Sequence, residues 1–376
     1  MGDVFAAARS IHSGSPRKTM SFRIEPTANP TSDADRKALV EAPAFGRVFT
    51  DHMLTMRYTA DAGWSDGVIA ARAPLAIDPA AAVLHYAQEI FEGMKAYWLA
   101  DGTAALFRPE ANAARFNRSA VRMAMPELPE EAFVEGIKQF VALERDWIPS
   151  GDGASLYLRP FMFATEAFLG VRPAREYLFA IIASPAGSYF KSGSAGLRLF
   201  VSREHVRAAP GGTGEAKCGG NYAGGLIAQS VASQAGCDQV LFLDAREQRW
   251  IEELGGMNIM FVFDDGSMVT PPLGGTILPG ITRDSLLQLA RDAGVTVREE
   301  PYSIEQLKTD AASGKLVEAF ACGTAAVVSS IATFVDGDRE ISLPTATPLT
   351  TQLKSALQSI YAGTAEDRHG WLTRIA

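Results

Sequence analysis

The chain has 376 residues, 47% of them hydrophobic and 21% charged, with a formal net charge of −8. That length allows two domains with large cores, while the negative balance and the lack of a dense Lys/Arg block argue against a nucleic-acid partner. No window reaches the roughly 18 unbroken apolar residues of a membrane span, and three widely separated cysteines, Cys218, Cys237 and Cys322, suit a reducing compartment, expected to be the cytoplasm.

Residues 1–44 read as an arm. Met1 to Lys18 is rich in Ala, Ser, Arg and Gly, like a transit peptide but without its amphipathic stripe. The arm is expected to be poorly ordered up to about Asn29. Gly93 to Pro109 predicts a hairpin about Ala100-Asp-Gly102, followed by a helix. A second helix is predicted from Glu130 to Ile148, where Phe133, Ile137, Phe140 and Val141 recur at helical spacing before Pro149. Leu156 to Thr165 and Tyr177 to Ser184 read as buried strands. Small, turn-forming residues then run from Ser184 to Gly196, as expected of an interdomain connection.

Beyond it, Gln239 to Asp244, Asn258 to Phe263 and Ser267 to Thr270 read as strands, the last two joined at Asp264-Asp-Gly266. Helices are expected over Thr282 to Asp292 and Leu349 to Tyr361. Strands and helices mixed in both halves predict a mixed α/β fold rather than one doubly wound sheet. The expected division is a smaller α/β domain over 45–185, a connection over 186–196 and a larger domain over 197–376.

Lys217 carries the most chemical information. It lies in Glu215-Ala-Lys-Cys-Gly-Gly-Asn-Tyr222, where glycines leave room for a flat group beside its amine, and lysines that form imines are a known means of holding pyridoxal phosphate. Five further segments accompany it: Phe91-Glu-Gly-Met-Lys-Ala-Tyr97, Tyr157-Leu-Arg159-Pro160, Glu253-Leu-Gly-Gly-Met-Asn258, Leu278-Pro-Gly-Ile-Thr282 and Cys322-Gly-Thr324-Ala325. In order and spacing they resemble the branched-chain aminotransferases over roughly residues 45 to 376.

The resemblance implies a two-domain fold type IV pyridoxal 5'-phosphate enzyme with the cofactor in the interdomain cleft, acting as a homodimer or larger homo-oligomer. It further implies reversible ping-pong transamination of L-leucine, L-isoleucine and L-valine with 2-oxoglutarate. By the same likeness Lys217 is the catalytic lysine, and Glu253, rather than its neighbour Glu252, faces the pyridine nitrogen. Arg115, Ile281, Thr282 and Thr324 hold the phosphate, Ile281 and Thr282 at a helix N-terminus suited to anions. Tyr222 meets the phenolic oxygen of the ring. Tyr157 and Arg159 share one face of a strand, and the likeness assigns Arg159 to the side-chain carboxylate of glutamate. Tyr86 and Phe91 would form an apolar wall, with the Thr324 and Ala325 amides on the substrate α-carboxylate.

Two departures from better-known members stand out. Gly256 stands where some relatives have threonine, and Ala326 and Ser329 stand where mammalian forms have a redox-active cysteine pair, so thiol regulation by that pair is not expected. The alternatives are another fold type IV enzyme, such as a D-amino acid aminotransferase or an aminodeoxychorismate lyase. Gly211-Gly-Thr-Gly214 raises a dinucleotide-binding oxidoreductase, but lacks the strand, G-x-G-x-x-G turn and helix of that fingerprint. Five scattered histidines suggest no metal site.

Overall fold

The computed structural model describes residues 20–151, 153–187 and 196–375, and in it two sheets stand side by side. The first sheet begins with β1 (Phe22–Ile24), β2 (His52–Thr59), β3 (Gly63–Trp64), β4 (Gly67–Ala71), β5 (Glu89–Phe91), β6 (Met94–Trp98), β7 (Ala104–Phe107), β8 (Ser155–Ala164) and β9 (Glu176–Ala186). The second contains β10 (Leu197–Val201), β11 (Gln239–Leu243), β12 (Ile251–Leu254), β13 (Asn258–Phe263), β14 (Met268–Thr270), β15 (Val297–Glu299), β16 (Leu316–Gly323), β17 (Val327–Asp336) and β18 (Arg339–Ser342). A last strand, β19 (Leu372–Ile375), returns to the first sheet and pairs antiparallel with β7.

Along the first sheet the order is β1-β4-β2-β9-β8-β6-β7-β19, with β5 beside β8; along the second it is β12-β11-β10-β17-β16-β13-β14-β15. The central strands are apolar on both faces, and all six residues of β13 are buried. Helices α1 (Asp33–Glu41), α2 (Ala82–Tyr86), α3 (Pro109–Arg122) and α4 (Glu130–Leu143) accompany the first sheet. Helices α5 (Gly219–Gln234), α6 (Ile281–Asp292), α7 (Ile304–Ser313) and α8 (Pro348–Tyr361) accompany the second.

Helix α4 starts on two acidic residues, Glu130 and Glu131, which suit the positive end of the helix dipole. It buries the anticipated Phe133, Ile137, Phe140 and Val141. It ends short of Ile148, however, in a 3-10 turn over Arg145–Trp147. The tighter turn buries Trp147, whose indole N–H donates to Asp51 at 3.2 Å. Phe116 of α3 packs on Phe133 and Phe179 with ring centroids 5.4 and 5.5 Å apart, which locks both helices onto the sheet.

Three expectations need correction. The arm is not unstructured up to Asn29: β1 pairs with β4, and the Thr27 amide donates to His52 at 2.9 Å, so chain hydrogen bonds order residues 22–27. Residues 1–18 and most of the 186–196 connection lie outside the described residues. The return of β19 to the first sheet is not foreseen by a second unit running to residue 376. Helix α5 was also missed, since Gly219, Gly220, Gly224 and Gly225 depress helix propensity by about 1 kcal/mol each. Packing of Ala228 and Ala232 with Val240 and Phe242 compensates.

The two sheets share an apolar seam. Tyr97 stacks on Tyr361 with centroids 4.6 Å apart, and Phe107 meets Tyr361 and Trp371 edge-on at 4.7 and 5.6 Å. The same cluster includes Met260, Phe320, Leu353 and Leu357 from the second sheet and α8. This seam fixes how the sheets face each other across the cleft described next. Phe116→Ala, which empties the aromatic knot under the first sheet, should cost about 3 to 5 kcal/mol in urea unfolding; a loss below about 1 kcal/mol would show that the knot is not a packing centre.

Candidate active site

Lys217 is held by strand β5 running beside it. The Phe91 amide donates to the Lys217 carbonyl at 2.9 Å, and the Gly219 amide donates to the Glu89 carboxylate. A Cβ on Gly219 would meet that carboxylate where it now lies, so a larger residue would have to displace the Glu89 side chain. The Lys217 amide donates to the Ser119 hydroxyl at 3.0 Å. With its backbone fixed on both sides, the side chain extends over the Phe91 ring, Nζ lying 4.8 Å from the centroid, and donates to the Tyr222 hydroxyl at 3.0 Å. Tyr222 reaches this position because α5 starts two residues after Lys217.

A second centre is the Glu253 carboxylate on β12, buried to 2% exposure. Arg207 meets its Oε1 at 2.8 Å, the Leu278 amide donates to the same oxygen at 2.8 Å, and Asn258 Nδ2 donates to Oε2 at 3.2 Å. A carboxylate offers about four acceptor sites, so one site on Oε2 is left for a further donor. Burial pushes Glu253 up to about 7, although Arg207 and Lys217 both pull it down. The neighbouring Glu252 accepts from the Thr276 hydroxyl at 2.6 Å through Oε1, while its Oε2 is buried without a hydrogen-bond partner among the described residues.

Asn258 links this centre to a third. Its Nδ2 also donates to the Leu278 carbonyl at 3.0 Å, and its Oδ1 packs so closely on Gly280 that a Cβ there would overlap it. A side chain at 280 would have to displace the Asn258 amide, which its bonds to Glu253 and Leu278 hold in place. Helix α6 follows with no side-chain cap, leaving the first-turn amides of Ile281 and Thr282 open to an anion. Arg115 stands at the same entrance and donates to the Pro279 carbonyl at 3.2 Å. Two more of its five N–H donors go to Glu92, at 2.7 and 2.8 Å, in a pair almost wholly buried, which leaves two donors for a ligand. Burial opposes ionisation of Glu92, but Arg115 outweighs it and holds the carboxyl below its ordinary range.

The remaining residues gather on the opposite wall. Tyr157 and Arg159 share a face of β8 as expected, and Arg159 donates to the Tyr157 hydroxyl at 3.2 Å. Its guanidinium lies over Phe91, 4.7 Å from the ring centroid, while its Nε is buried without a hydrogen-bond partner among the described residues. Thr324 and Ala325 form the turn between β16 and β17, and both line a cavity of about 300 Å³ with Arg207, Tyr222 and Gly256. A neighbouring cavity of about 200 Å³ is lined by Phe45, Lys95, Tyr157 and Ala325.

Tyr86 is the exception. It is 38% exposed at the end of α2 and its hydroxyl donates to the Leu169 carbonyl, away from Phe91. Ala87, in the left-handed region at φ 48°, turns the chain between Tyr86 and β5. The Tyr86 hydroxyl is thus engaged by the segment around Leu169. Sequence reading also missed Glu89, Glu92, Arg207 and Lys95. Glu92 and Lys95 lay in plain view within Phe91-Glu-Gly-Met-Lys, whereas nothing around Arg207 distinguishes it from a surface arginine.

A lysine, a buried carboxylate with an acceptor site to spare, and an open helix N-terminus with an arginine beside it form a donor set that fits pyridoxal phosphate. The chain belongs to the class IV aminotransferases, whose family model matches residues 89–334. Within that class it is 50% identical over 362 residues to the branched-chain-amino-acid aminotransferase of Mycolicibacterium smegmatis, a match spanning 95% of this chain and 98% of that one. Among solved structures it is similar to the T.th. branched-chain amino acid aminotransferase with pyridoxamine 5'-phosphate, at TM-score 0.70 and 28% identity over 85% of this chain and 98% of that one. The same enzyme complexed with N-(5'-phosphopyridoxyl)-L-glutamate matches at TM-score 0.69 and 28% identity, with the same coverage.

Because burial lifts Glu253 from an ordinary 4.5 to about 7 in the folded chain, its ionisation costs stability: the cost is absent below about 4.5 and complete above about 7. In the cofactor-free protein, the melting temperature of Glu253→Gln minus that of the parent should rise as pH is raised from about 5 to about 8. A difference that does not change with pH would contradict this environment for Glu253.

Proposed function

We propose that this chain is a pyridoxal 5'-phosphate enzyme that reversibly transfers the amino group of L-leucine, L-isoleucine or L-valine to 2-oxoglutarate, by ping-pong kinetics. The observation that carries the reading is the pairing of the Lys217 amine, bonded to Tyr222, with a buried Glu253 that keeps one acceptor site open. When bound, the cofactor supplies the aldehyde that takes the amino group and an electron-poor ring that stabilises charge at the substrate α-carbon.

The residues then divide the work. Glu253 keeps a proton on the ring nitrogen, since an adjacent carboxylate favours the charged form of its partner. Arg115, the Ile281 and Thr282 amides and Thr324 bind the phosphate. Lys217 Nζ would take up the α-carbon proton as an ammonium and give it back in the second half of the transfer, and the Tyr222 hydroxyl would orient that amine and meet the ring's phenolic oxygen. The Thr324 and Ala325 amides and the Tyr157 hydroxyl bind the α-carboxylate.

One pocket accepts both a branched side chain and that of glutamate. Phe91 supplies apolar surface, and Arg159, with its buried unpaired Nε, is suited to the distal carboxylate of glutamate and 2-oxoglutarate. The similar structure complexed with N-(5'-phosphopyridoxyl)-L-glutamate supports a dicarboxylic partner substrate. Exposed Leu84, Leu169 and Val171 near Tyr86, and Leu226 and Ile227 on α5, favour assembly as a homodimer or larger, with Tyr86 acting at that interface rather than in its own chain's wall. The compartment we favour is the cytoplasm, in keeping with free, buried Cys218, Cys237 and Cys322.

Two variants test the assignment. Lys217→Ala should slow the L-leucine half-reaction, followed by cofactor absorbance, by about 10² to 10⁴-fold or more, and unchanged turnover would exclude its role. Arg159→Met should raise KM for 2-oxoglutarate about tenfold or more while changing that for L-leucine little; equal changes for both would remove Arg159 from the distal carboxylate. Conversion of D-alanine or aminodeoxychorismate without L-leucine would instead favour the other fold type IV activities.

A further inference from the structure

Lys95 is a buried cation that the reaction above does not use. It lies on β6, 4% exposed, directly opposite Tyr157 of β8. Its ammonium donates to the Ala325 carbonyl at 3.1 Å and forms no ion pair among the described residues. It lines the roughly 200 Å³ cavity with Tyr157 and Ala325, and a second cavity of about 380 Å³ behind the turn with Tyr97 and Val327. The turn it touches is strained: Val327, a β-branched residue, sits at φ 60°, where such side chains are genuine outliers. A strained turn persists only where its surroundings hold it, and Lys95 provides a hydrogen bond to its middle. Burial alone lowers the lysine to about 8, as expected of a cation with no carboxylate beside it.

We propose that Lys95 is a positioning residue for the substrate α-carboxylate: by gripping the Ala325 carbonyl from inside, it keeps the Thr324–Val327 turn with its amides toward the substrate and sets a positive charge behind them. This rests on the assignment of those amides to the α-carboxylate. Every substrate carries that group, so the effect is common to all of them, unlike that of Arg159.

The test uses holoenzyme and 4-methylpentanoate, which has the carbon skeleton and carboxylate of leucine but no amine. In Lys95→Met its Kd, measured by calorimetric titration, should rise about tenfold, with KM for L-leucine and 2-oxoglutarate rising by a similar factor and kcat changing less than about threefold. Lys95→Arg, which keeps charge and donor, should restore Kd to within about threefold of the parent. If Lys95→Met does not fold, Lys95→Gln, which keeps a donor without charge, should still weaken 4-methylpentanoate more than Lys95→Arg does. An unchanged Kd, or a KM increase confined to 2-oxoglutarate, would overturn the proposal. Failure of the parent enzyme to convert L-leucine would instead reject the transaminase reading itself.

Discussion

A carboxylate buried without a cation is among the costliest groups a fold can hold, and two of the buried carboxylates beside the cleft are each given one. Glu253 is met by Arg207 and Glu92 by Arg115, each at under 3 Å. Those two pairs fix the floor of the site. Arg207 comes from the loop after β10, Glu253 from β12, Glu92 from the end of β5 and Arg115 from α3. Misplacing any one of these elements would strand a charge in the interior, so the ion pairs select one relative arrangement of segments far apart in sequence.

The same arrangement sets the chemistry. Glu89 and Phe91 hold the backbone around Lys217, Glu92 orients Arg115 toward Pro279, and Asn258 couples the Glu253 carboxylate to the loop that opens α6. A change at one centre is therefore felt at the others through short chains of bonds rather than through general flexibility. The aromatic seam of Tyr97, Phe107, Tyr361 and Trp371 carries the second sheet rigidly against the first. It keeps Ala325 and Tyr157 across from each other in the cavity that both line.

Much of this was legible in the sequence where local pattern and final environment agree. The Gly93–Pro109 hairpin, the buried face of α4 and the α6 start after Pro279-Gly280 follow from turn residues and periodicity. Lys217 stands out by the glycines around it and Tyr157 and Arg159 by strand alternation, whereas Tyr222, Glu253 and the role of Arg159 come only from the likeness to the branched-chain aminotransferases. What stayed hidden depends on distant partners. Helix α5 has four glycines and is secured by packing on β11. Arg207 is informative only once Glu253 is beside it, β19 only once β7 is there to receive it, and the outward turn of Tyr86 only once Ala87 is seen at positive φ.

The central claim is that the cofactor aldehyde is tethered at Lys217, and borohydride reduction of active holoenzyme followed by peptide mapping tests it most directly. One reduced phosphopyridoxyl adduct is expected, on the peptide containing Lys217, and none on Lys95, which also lines the cleft. A stable adduct on Lys95 or elsewhere, or none in fully active protein, would contradict it.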